Sequence, residues 1–214
     1  MSTNRIPRRA LLALATSLAL TACGGGGGGD GGSSTPTPTP PAPVVLTVTH
    51  KVRLTTNQGV IELGLDRTHA PLSVDNFLKY VNDGYYNGTV FHRVISNFVI
   101  QGGGVARNGA GALQEKTPTY GPIALESMNG LSNVRGTLAM ARTNVADSAT
   151  SQFYINVVDN TSLNYQNSAN PGYAVFGTVT LGLDVVDKIK AVSTNASDVP
   201  LVDVTVTEAK VIPL

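Results

Sequence analysis

Glycine and proline recur so often along this chain that it favours short strands joined by turns over long helices. The 214 residues include 23 glycines and 12 prolines, with no tryptophan. Glycine permits the positive φ angles of tight turns, and proline cannot continue a helix or a central strand. Because the first 43 residues lack a core-forming pattern, about 170 residues remain for folding, which suits one domain with a single core. We therefore predict an all-β domain with few helices, over residues 44–214.

Residues 1–22 have the outline of a bacterial signal peptide. Three arginines among the first nine residues precede an apolar run over 10–20, and small residues follow. The tetrad Leu20–Cys23 resembles a lipobox, in which the cysteine is lipidated and becomes the new N-terminus after cleavage. Alternatives are an ordinary cleavage site with a chance cysteine and, because Arg8 and Arg9 are adjacent, twin-arginine export. The apolar run is short for a transmembrane span.

Residues 23–43 form a predicted tether between the lipidated cysteine and the domain. Gly24–Gly32 is interrupted only by Asp30, and Thr35–Pro43 is rich in Thr-Pro pairs. Glycine tracts are flexible, whereas proline-rich segments extend by about 3.1 Å per residue. Such a tether would hold the domain some tens of Å from a membrane surface.

Periodicity predicts the elements of the domain. Leu46–Thr56 and Val60–Leu65 favour a hairpin that turns at Gly59, and an apolar spacing of three and four residues predicts a helix from Ser73, as N-cap, to a stop at Gly84. A second helix carries Val185, Val186, Ile189 and Val192, and a final strand alternates Val202, Val204 and Val206. Five further strands are predicted at Val90–Val94, Phe98–Gln101, Thr137–Arg142, Phe153–Val157 and Ala174–Val179. Many strands with two helices indicate a closed sheet.

Charge and cysteine content exclude several function classes. The formal net charge is +1, so the chain lacks the strong positive field of a nucleic-acid-binding protein. Cys23 is the only cysteine and precedes the domain, which excludes disulfides and thiolate metal ligands from the fold. We expect neither metal nor cofactor, and a monomer.

Phe91–Gly103 resembles the signature segment of the cyclophilin peptidyl-prolyl isomerases, most closely the bacterial ones. Four further segments match in family order: Ala70–Pro71 with Tyr85–Tyr86, Arg135–Arg142, Ser151–Asn156 and Tyr173–Gly177. The similarity covers roughly Leu46–Ile212. It implies a closed eight-stranded antiparallel barrel with two helices and an active groove on the outer face.

The resemblance also implies the site residues. Arg93 is the catalytic donor, and Gln101 positions it together with the substrate. His92, next along the chain, is expected to be structural because alternate residues of a strand point to opposite faces. The substrate is a proline-containing polypeptide in extended conformation, which pairs with the backbone of Ala141–Thr143. Predicted substrate-binding residues are Phe98, Val99, Ala141, Arg142, Thr143, Gln152, Tyr154, Leu163 and Tyr173.

The sequence departs from the family pattern at several positions. Ser96-Asn97 replaces Pro-Gly, Val99 replaces methionine and Tyr154 replaces phenylalanine. Ser162 stands where many members have tryptophan. The stretch Gly102–Gly111 has no clear register with the family, so no functional residue is assigned there.

Three functions are compatible with these patterns. The first is an isomerase for exported proteins, anchored at the cell envelope and facing the periplasm. The alternatives are a peptide-binding module or holdase with little catalysis, and a structural lipoprotein. Arg93 and Gln101 favour the enzyme. Gly24, in place of the aspartate that favours inner-membrane retention, indicates the outer membrane.

Overall fold

The computed structural model describes residues 44–214, so the predicted signal peptide (1–22) and tether (23–43), including Cys23, lie outside the described residues. Two α-helices occur in the described part, α1 at Pro71–Asn82 and α2 at Leu183–Lys190. The strands are β1 His50–Thr56, β2 Gly59–Leu65, β3 Arg93–Val94, β4 Val99–Gly102, β5 Val105–Arg107, β6 Leu113–Glu115, β7 Thr137–Met140, β8 Phe153–Asn156, β9 Val175–Leu181 and β10 Val206–Ile212.

Eight of these strands form one curled antiparallel sheet in the order β10-β1-β2-β9-β7-β8-β4-β3. The chain just before β3 joins the two edges of this half-barrel: Gly88 N donates to Val206 O at 2.8 Å, and Phe91 N donates to Val204 O at 2.9 Å. The predicted fold class, all-β with two helices and an eight-stranded antiparallel barrel, is confirmed. The two edge strands of the sheet, β3 and β10, are therefore linked by the hydrogen bonds of Gly88 and Phe91 and not by pairing with each other.

The alternation of side chains across the sheet separates the core from the site. Directly paired residues of neighbouring strands share a face. One cross-strand row enters the main apolar core and consists of Val94, Ile100, Ile155 and Leu138. The adjacent row faces outward and consists of Arg93, Gln101, Tyr154 and Ala139. The sheet therefore carries a second, outer face on which functional side chains can gather.

Helix α1 begins earlier than predicted, and Ser73 as its N-cap is wrong. The N-cap is Ala70, with Pro71 in the first turn, where proline's missing N–H costs nothing. The carboxylate of Glu126, distant in sequence, accepts from Leu72 N at 2.9 Å, Ser73 N at 2.8 Å and Ser73 Oγ at 2.7 Å. A tertiary contact thus satisfies the free amides of this helix end.

The structure differs from the sequence-based bounds elsewhere as well: β3 is shorter than the predicted Val90–Val94, β7 is shorter than Thr137–Arg142, and α2 ends before Val192. The last strand begins at Val206, and Val202 is 74% exposed, because the pairing of β10 with β1 sets its extent. The glycine-rich stretch after Gly102, which has no clear register with the family, contains the small hairpin of β5 and β6. Among residues 44–214, no helix has the length and apolar character needed to span a bilayer.

Asp66 ties the chain entering the domain to the loop between β2 and α1. Its fully buried carboxylate accepts from Thr47 N at 2.8 Å, Thr68 N at 3.0 Å, His69 N at 3.1 Å and His69 Nδ1 at 2.6 Å. Burial raises the pKa of Asp66, but the hydrogen bonds from Thr47 and His69 outweigh burial and the pKa is lowered overall. The ionised form is therefore favoured by the folded state.

We predict that Asp66→Asn lowers the free energy of unfolding by about 2–3 kcal/mol at pH 7, since an amide cannot accept all four donors. Because the folded-state pKa is depressed, the wild-type advantage is complete above the unfolded pKa of about 3.9 and declines as pH falls through the folded value. Urea unfolding at pH 7 and pH 3 measures both effects. The control is Asp75→Asn, whose carboxylate is 42% exposed beside Arg67, with an expected loss below about 1 kcal/mol. Equal losses at both pH values would contradict the assignment.

Candidate active-site groove

Two adjacent pockets on the outer face of the sheet bring all eleven sequence-predicted catalytic and substrate-binding residues together. We call the first the apolar pocket. It has a volume of about 150 Å³ and is lined by Arg93, Phe98, Val99, Gln101, Ala141, Arg142, Tyr154, Leu163 and Tyr173. The second, the polar pocket, has a volume of about 140 Å³ and is lined by Gln101, Ala141, Arg142, Thr143, Ser148, Thr150 and Gln152. The shared residues make the two pockets one groove.

The apolar pocket has a buried floor and partly exposed walls. Val99 and Tyr154 are only 2% and 4% exposed and pack together in an outer apolar cluster. Phe98, Leu163 and Tyr173 are partly buried against that cluster. The rings of Tyr154 and Tyr173 meet nearly edge to face, with centroids 5.9 Å apart. Such a pocket can hold a small apolar ring and exclude water around it.

Arg93 stands at the rim of the apolar pocket. Its side chain is 42% exposed, and its Nε lies 3.9 Å from Oδ2 of Asp198. Asp198 has a left-handed φ of 61°, in a turn that Asn195 organises by accepting from Ser197 N and Val199 N. The sequence analysis did not predict that Asp198 lies beside Arg93. The turn-forming residues between Asn195 and Pro200 indicate a turn at this position but not its neighbour. An exposed guanidinium offers several donors above an apolar cavity.

Gln101 is held in place by Gln152. Gln101 Nε2 donates to Gln152 Oε1 at 2.9 Å. Gln152 lies directly over Gly104, where a Cβ would come within 2.4 Å of Gln152 Cγ. Gly104, which lacks a side chain, therefore leaves room for Gln152. Gln152 in turn orients the amide of Gln101 beside Arg93.

Arg142 joins the groove to the loop before β9. Its Nε and Nη2 donate to Gly172 O at 2.9 Å and 2.7 Å, and its guanidinium lies 4.5 Å from the ring centroid of Tyr173. A cation over an aromatic face is attracted by the ring. Arg142 thereby holds the Tyr173 wall against the pocket.

Two backbone amides of the predicted substrate-pairing edge, Ala141–Thr143, already have partners within the protein. Ala141 N donates to Gln152 O at 3.0 Å, and Thr143 N donates to Ser148 Oγ at 3.0 Å. Among residues 44–214, the backbone amide and carbonyl of Arg142 make no hydrogen bond. Arg142 therefore has the backbone groups that an extended peptide could pair with.

Tyr154 and His92, two titratable residues of this part of the sheet, stay uncharged at neutral pH. Burial, reinforced by Tyr173, raises the pKa of Tyr154, so its hydroxyl remains a donor. Burial lowers the pKa of His92, whose Nδ1 has no hydrogen-bond partner in the described part of the chain. His92 lies outside both pockets. Within residues 44–214, His, Asp and Glu side chains form no cluster of three that could hold a metal.

The groove combines an apolar cavity with hydrogen-bond donors and a backbone edge, as a peptide-binding site requires. Its donors are aimed around an apolar cavity, and it presents a free backbone edge beside that cavity. A neutral ring could be held in the cavity while Arg93 acts on the adjoining amide. The roles of the eleven residues stay predictions.

Residues 51–211 match the family described as cyclophilin type peptidyl-prolyl cis-trans isomerase/CLD. The chain is 49% identical over 170 residues to peptidyl-prolyl cis-trans isomerase A of Dickeya dadantii, which covers 78% of this chain and 86% of that protein. It is 56% identical over 144 residues to a peptidyl-prolyl cis-trans isomerase of Acinetobacter baylyi, covering 67% of this chain and 73% of the relative.

A solved structure has the same fold. The crystal structure of a Cryptosporidium parvum cyclophilin type peptidyl-prolyl cis-trans isomerase, in the presence of the dipeptide Ala-Pro, superposes with a TM-score of 0.63 at 26% sequence identity. The match covers 77% of this chain and 99% of that one. The family match over residues 51–211 includes every residue that lines the groove.

Proposed function

Since the chain belongs to the cyclophilin-type peptidyl-prolyl cis-trans isomerases and is an enzyme of that kind, we propose that it assists the folding of exported proteins while anchored to the bacterial envelope by a lipidated Cys23. The observation that supports the assignment of the site is the convergence of Arg93, Gln101 and the apolar pocket in one groove. The solved relative whose structure was determined in the presence of the dipeptide Ala-Pro supports a proline-containing peptide as the substrate.

The reaction is rotation about the peptide bond that precedes proline. Its barrier is about 18–20 kcal/mol, and the unaided process takes tens to hundreds of seconds. Shortening roughly 100 s to roughly 1 ms is a factor of about 10⁵, or about 7 kcal/mol of barrier. No bond breaks, so the enzyme has only to bind the twisted amide more tightly than either planar isomer.

Arg93 is suited to that selective binding. When the bond twists, conjugation is lost and the proline nitrogen gains a lone pair, which a fixed guanidinium donor stabilises. The apolar pocket holds the proline ring while the preceding carbonyl moves, and Gln101, fixed by Gln152, orients the donor and the substrate. The backbone amide and carbonyl of Arg142, which make no hydrogen bond in the described part of the chain, pair with the extended substrate on the other side of the groove.

The envelope location rests on residues 1–43. Basic residues, an apolar run and small residues before Cys23 support a lipoprotein signal, and the following glycine and Thr-Pro tracts support a tether. Isomerisation needs neither ATP nor cofactor, so it suits the periplasm. Gly24 supports the outer membrane over the inner one.

We predict that Cys23→Ser releases the protein from membranes, because acyl chains on Cys23 supply the anchor. Fractionation of lysed cells and incorporation of labelled palmitate measure the two parts of this claim. Ser33→Ala, in the same tether, is the control and should remain lipidated and membrane-bound. A Cys23→Ser protein that still sediments with membranes, or a wild type that takes up no palmitate, would contradict lipid anchoring.

Assistance to folding is tested with the full-length Cys23→Ser protein and an exported protein whose refolding is limited by proline isomerisation. We expect catalytic amounts to accelerate the slow refolding phase and Arg93→Ala to abolish the acceleration. Suppression of aggregation by both proteins without any acceleration would instead support the holdase alternative.

A further inference from the structure

A network of buried amide side chains lies directly behind the apolar pocket. At its centre is Asn133, which is fully buried although polar. Its Oδ1 accepts from the Tyr154 hydroxyl at 2.8 Å and from Asn156 Nδ2 at 3.2 Å. Its Nδ2 donates to Asn164 Oδ1 at 3.1 Å and to Tyr173 O at 3.4 Å. Every hydrogen-bonding site of this amide is therefore occupied.

The network reaches each wall of the apolar pocket. Tyr154 is the floor, Asn164 directly follows the wall residue Leu163, and Tyr173 is a wall residue itself. Through Asn156 the network continues to Asn160, whose Nδ2 donates to Asn156 Oδ1 and to Phe98 O, both at 2.8 Å. Asn160 N in turn donates to Asn133 O at 2.8 Å. Three chain segments that form the pocket thus meet at the Asn133 side chain. A fourth, which carries Phe98, is joined to them through Asn160.

The buried hydroxyl of Tyr154 needs the hydrogen bond that Asn133 provides. Tyr154 stands where the family usually has phenylalanine, so its ring brings a polar group into a 4% exposed position. A buried hydroxyl without an acceptor is costly. Asn133 supplies the acceptor, and this bond fixes the depth and tilt of the ring that forms the pocket floor.

We propose that Asn133 is a positioning residue for the isomerase reaction, setting the shape of the proline-binding pocket by holding the Tyr154 hydroxyl and the segments that carry Leu163, Tyr173 and Phe98. It acts through these residues, since it is not among those that line the pocket. The inference rests on the isomerase activity and is independent of envelope anchoring. If the walls of the pocket can move, the proline ring can turn together with the rotating carbonyl. The twisted amide is then bound less tightly than in a rigid pocket.

The test compares Asn133→Ala with Thr137→Val in the full-length Cys23→Ser background. Thr137 Oγ1 accepts from Asn156 Nδ2 at 2.9 Å, so the control removes one bond of the same network at an end outside the pocket. Protease-coupled isomerisation at low temperature gives kcat/KM, and urea unfolding shows that each variant is folded. We expect about a tenfold lower kcat/KM for Asn133→Ala, with kcat falling more than KM rises, and less than a twofold change for Thr137→Val.

A second substitution separates positioning from general damage. Asn133→Ala leaves the Tyr154 hydroxyl unpaired, so adding Tyr154→Phe removes the unsatisfied group and should recover at least threefold of the lost kcat/KM. A folded Asn133→Ala within twofold of its parent, or a double variant no more active than the single one, would overturn the proposal.

Should Asn133→Ala fail to fold, Asn164→Ala keeps the proposal testable. This substitution removes the acceptor of both Asn133 Nδ2 and Asn133 N, together with the bond to Ser132 Oγ, but leaves the bond between Asn133 and Tyr154 in place. Asn164 is partly exposed, so the loss is better tolerated than at Asn133. We expect at least a threefold loss of kcat/KM. Unchanged efficiency in folded Asn164→Ala would count against the positioning role.

Discussion

Replacing Arg93 with alanine should lower kcat/KM at least tenfold, and on the order of 100-fold, while the fold remains intact. The magnitude follows from removing one preorganised donor that acts on the twisted amide, the type of loss that costs about 10²–10³ at other sites of charge stabilisation. Stability should change by no more than about 0.5 kcal/mol, because the side chain is 42% exposed and lies 3.9 Å from Asp198.

Arg53→Ala is a matched control for this experiment. Arg53 is on β1 of the same sheet, is 41% exposed and pairs with Glu62 at 2.7 Å, but it is outside the groove. It should keep full activity in the protease-coupled assay. Arg93→Lys should recover little, because a flexible ammonium does not reproduce the planar donor geometry of guanidinium. A folded Arg93→Ala enzyme with wild-type kcat/KM would refute the assignment.

The fold was predictable from the sequence because its strongest signals are local. Period-two alternation and turn residues located the β1–β2 hairpin, and three-four spacing located both helices. The start of α1 was missed because Glu126, far along the chain, supplies the cap that Ser73 was expected to supply. The start of β10 was missed because the extent of a strand depends on its partner, and the alternation of valines begins at Val202, before the pairing with β1 does.

The site was predictable mainly through family resemblance. Spacing alone cannot show that Arg93, Tyr154 and Tyr173 meet, since strand order brings β3, β8 and the loop before β9 together. Asp198 and Asn133 were missed for the same reason: each acts across a long stretch of sequence, and neither belongs to a matched motif. Their importance arises from distances that only the folded chain defines.

Cyclosporin, the cyclic peptide inhibitor that family resemblance suggests for this groove, should bind weakly to the wild type and much more tightly to Ser162→Trp. Ser162 is an exposed residue of the short 3-10 turn Thr161–Leu163, next to the pocket wall Leu163. In sensitive relatives, tryptophan at this position offers an apolar face and an N–H donor. Burying 50–100 Å² at about 25 cal/mol per Å² contributes about 1–2.5 kcal/mol, and the hydrogen bond roughly another 1 kcal/mol.

These contributions correspond to roughly a ten- to several-hundredfold gain in affinity for Ser162→Trp. Because the chain has no tryptophan, the introduced indole is its only one, so binding can be read from tryptophan emission as well as from inhibition of isomerase activity. Thr161→Trp, the exposed neighbour in the same turn, controls for a non-specific gain from added aromatic surface. Nanomolar inhibition of the wild type would show that the groove does not depend on this contact. Equal affinity of Ser162→Trp and wild type would show that position 162 does not face the ligand, because an indole at the groove rim cannot be buried by the peptide without strengthening its binding.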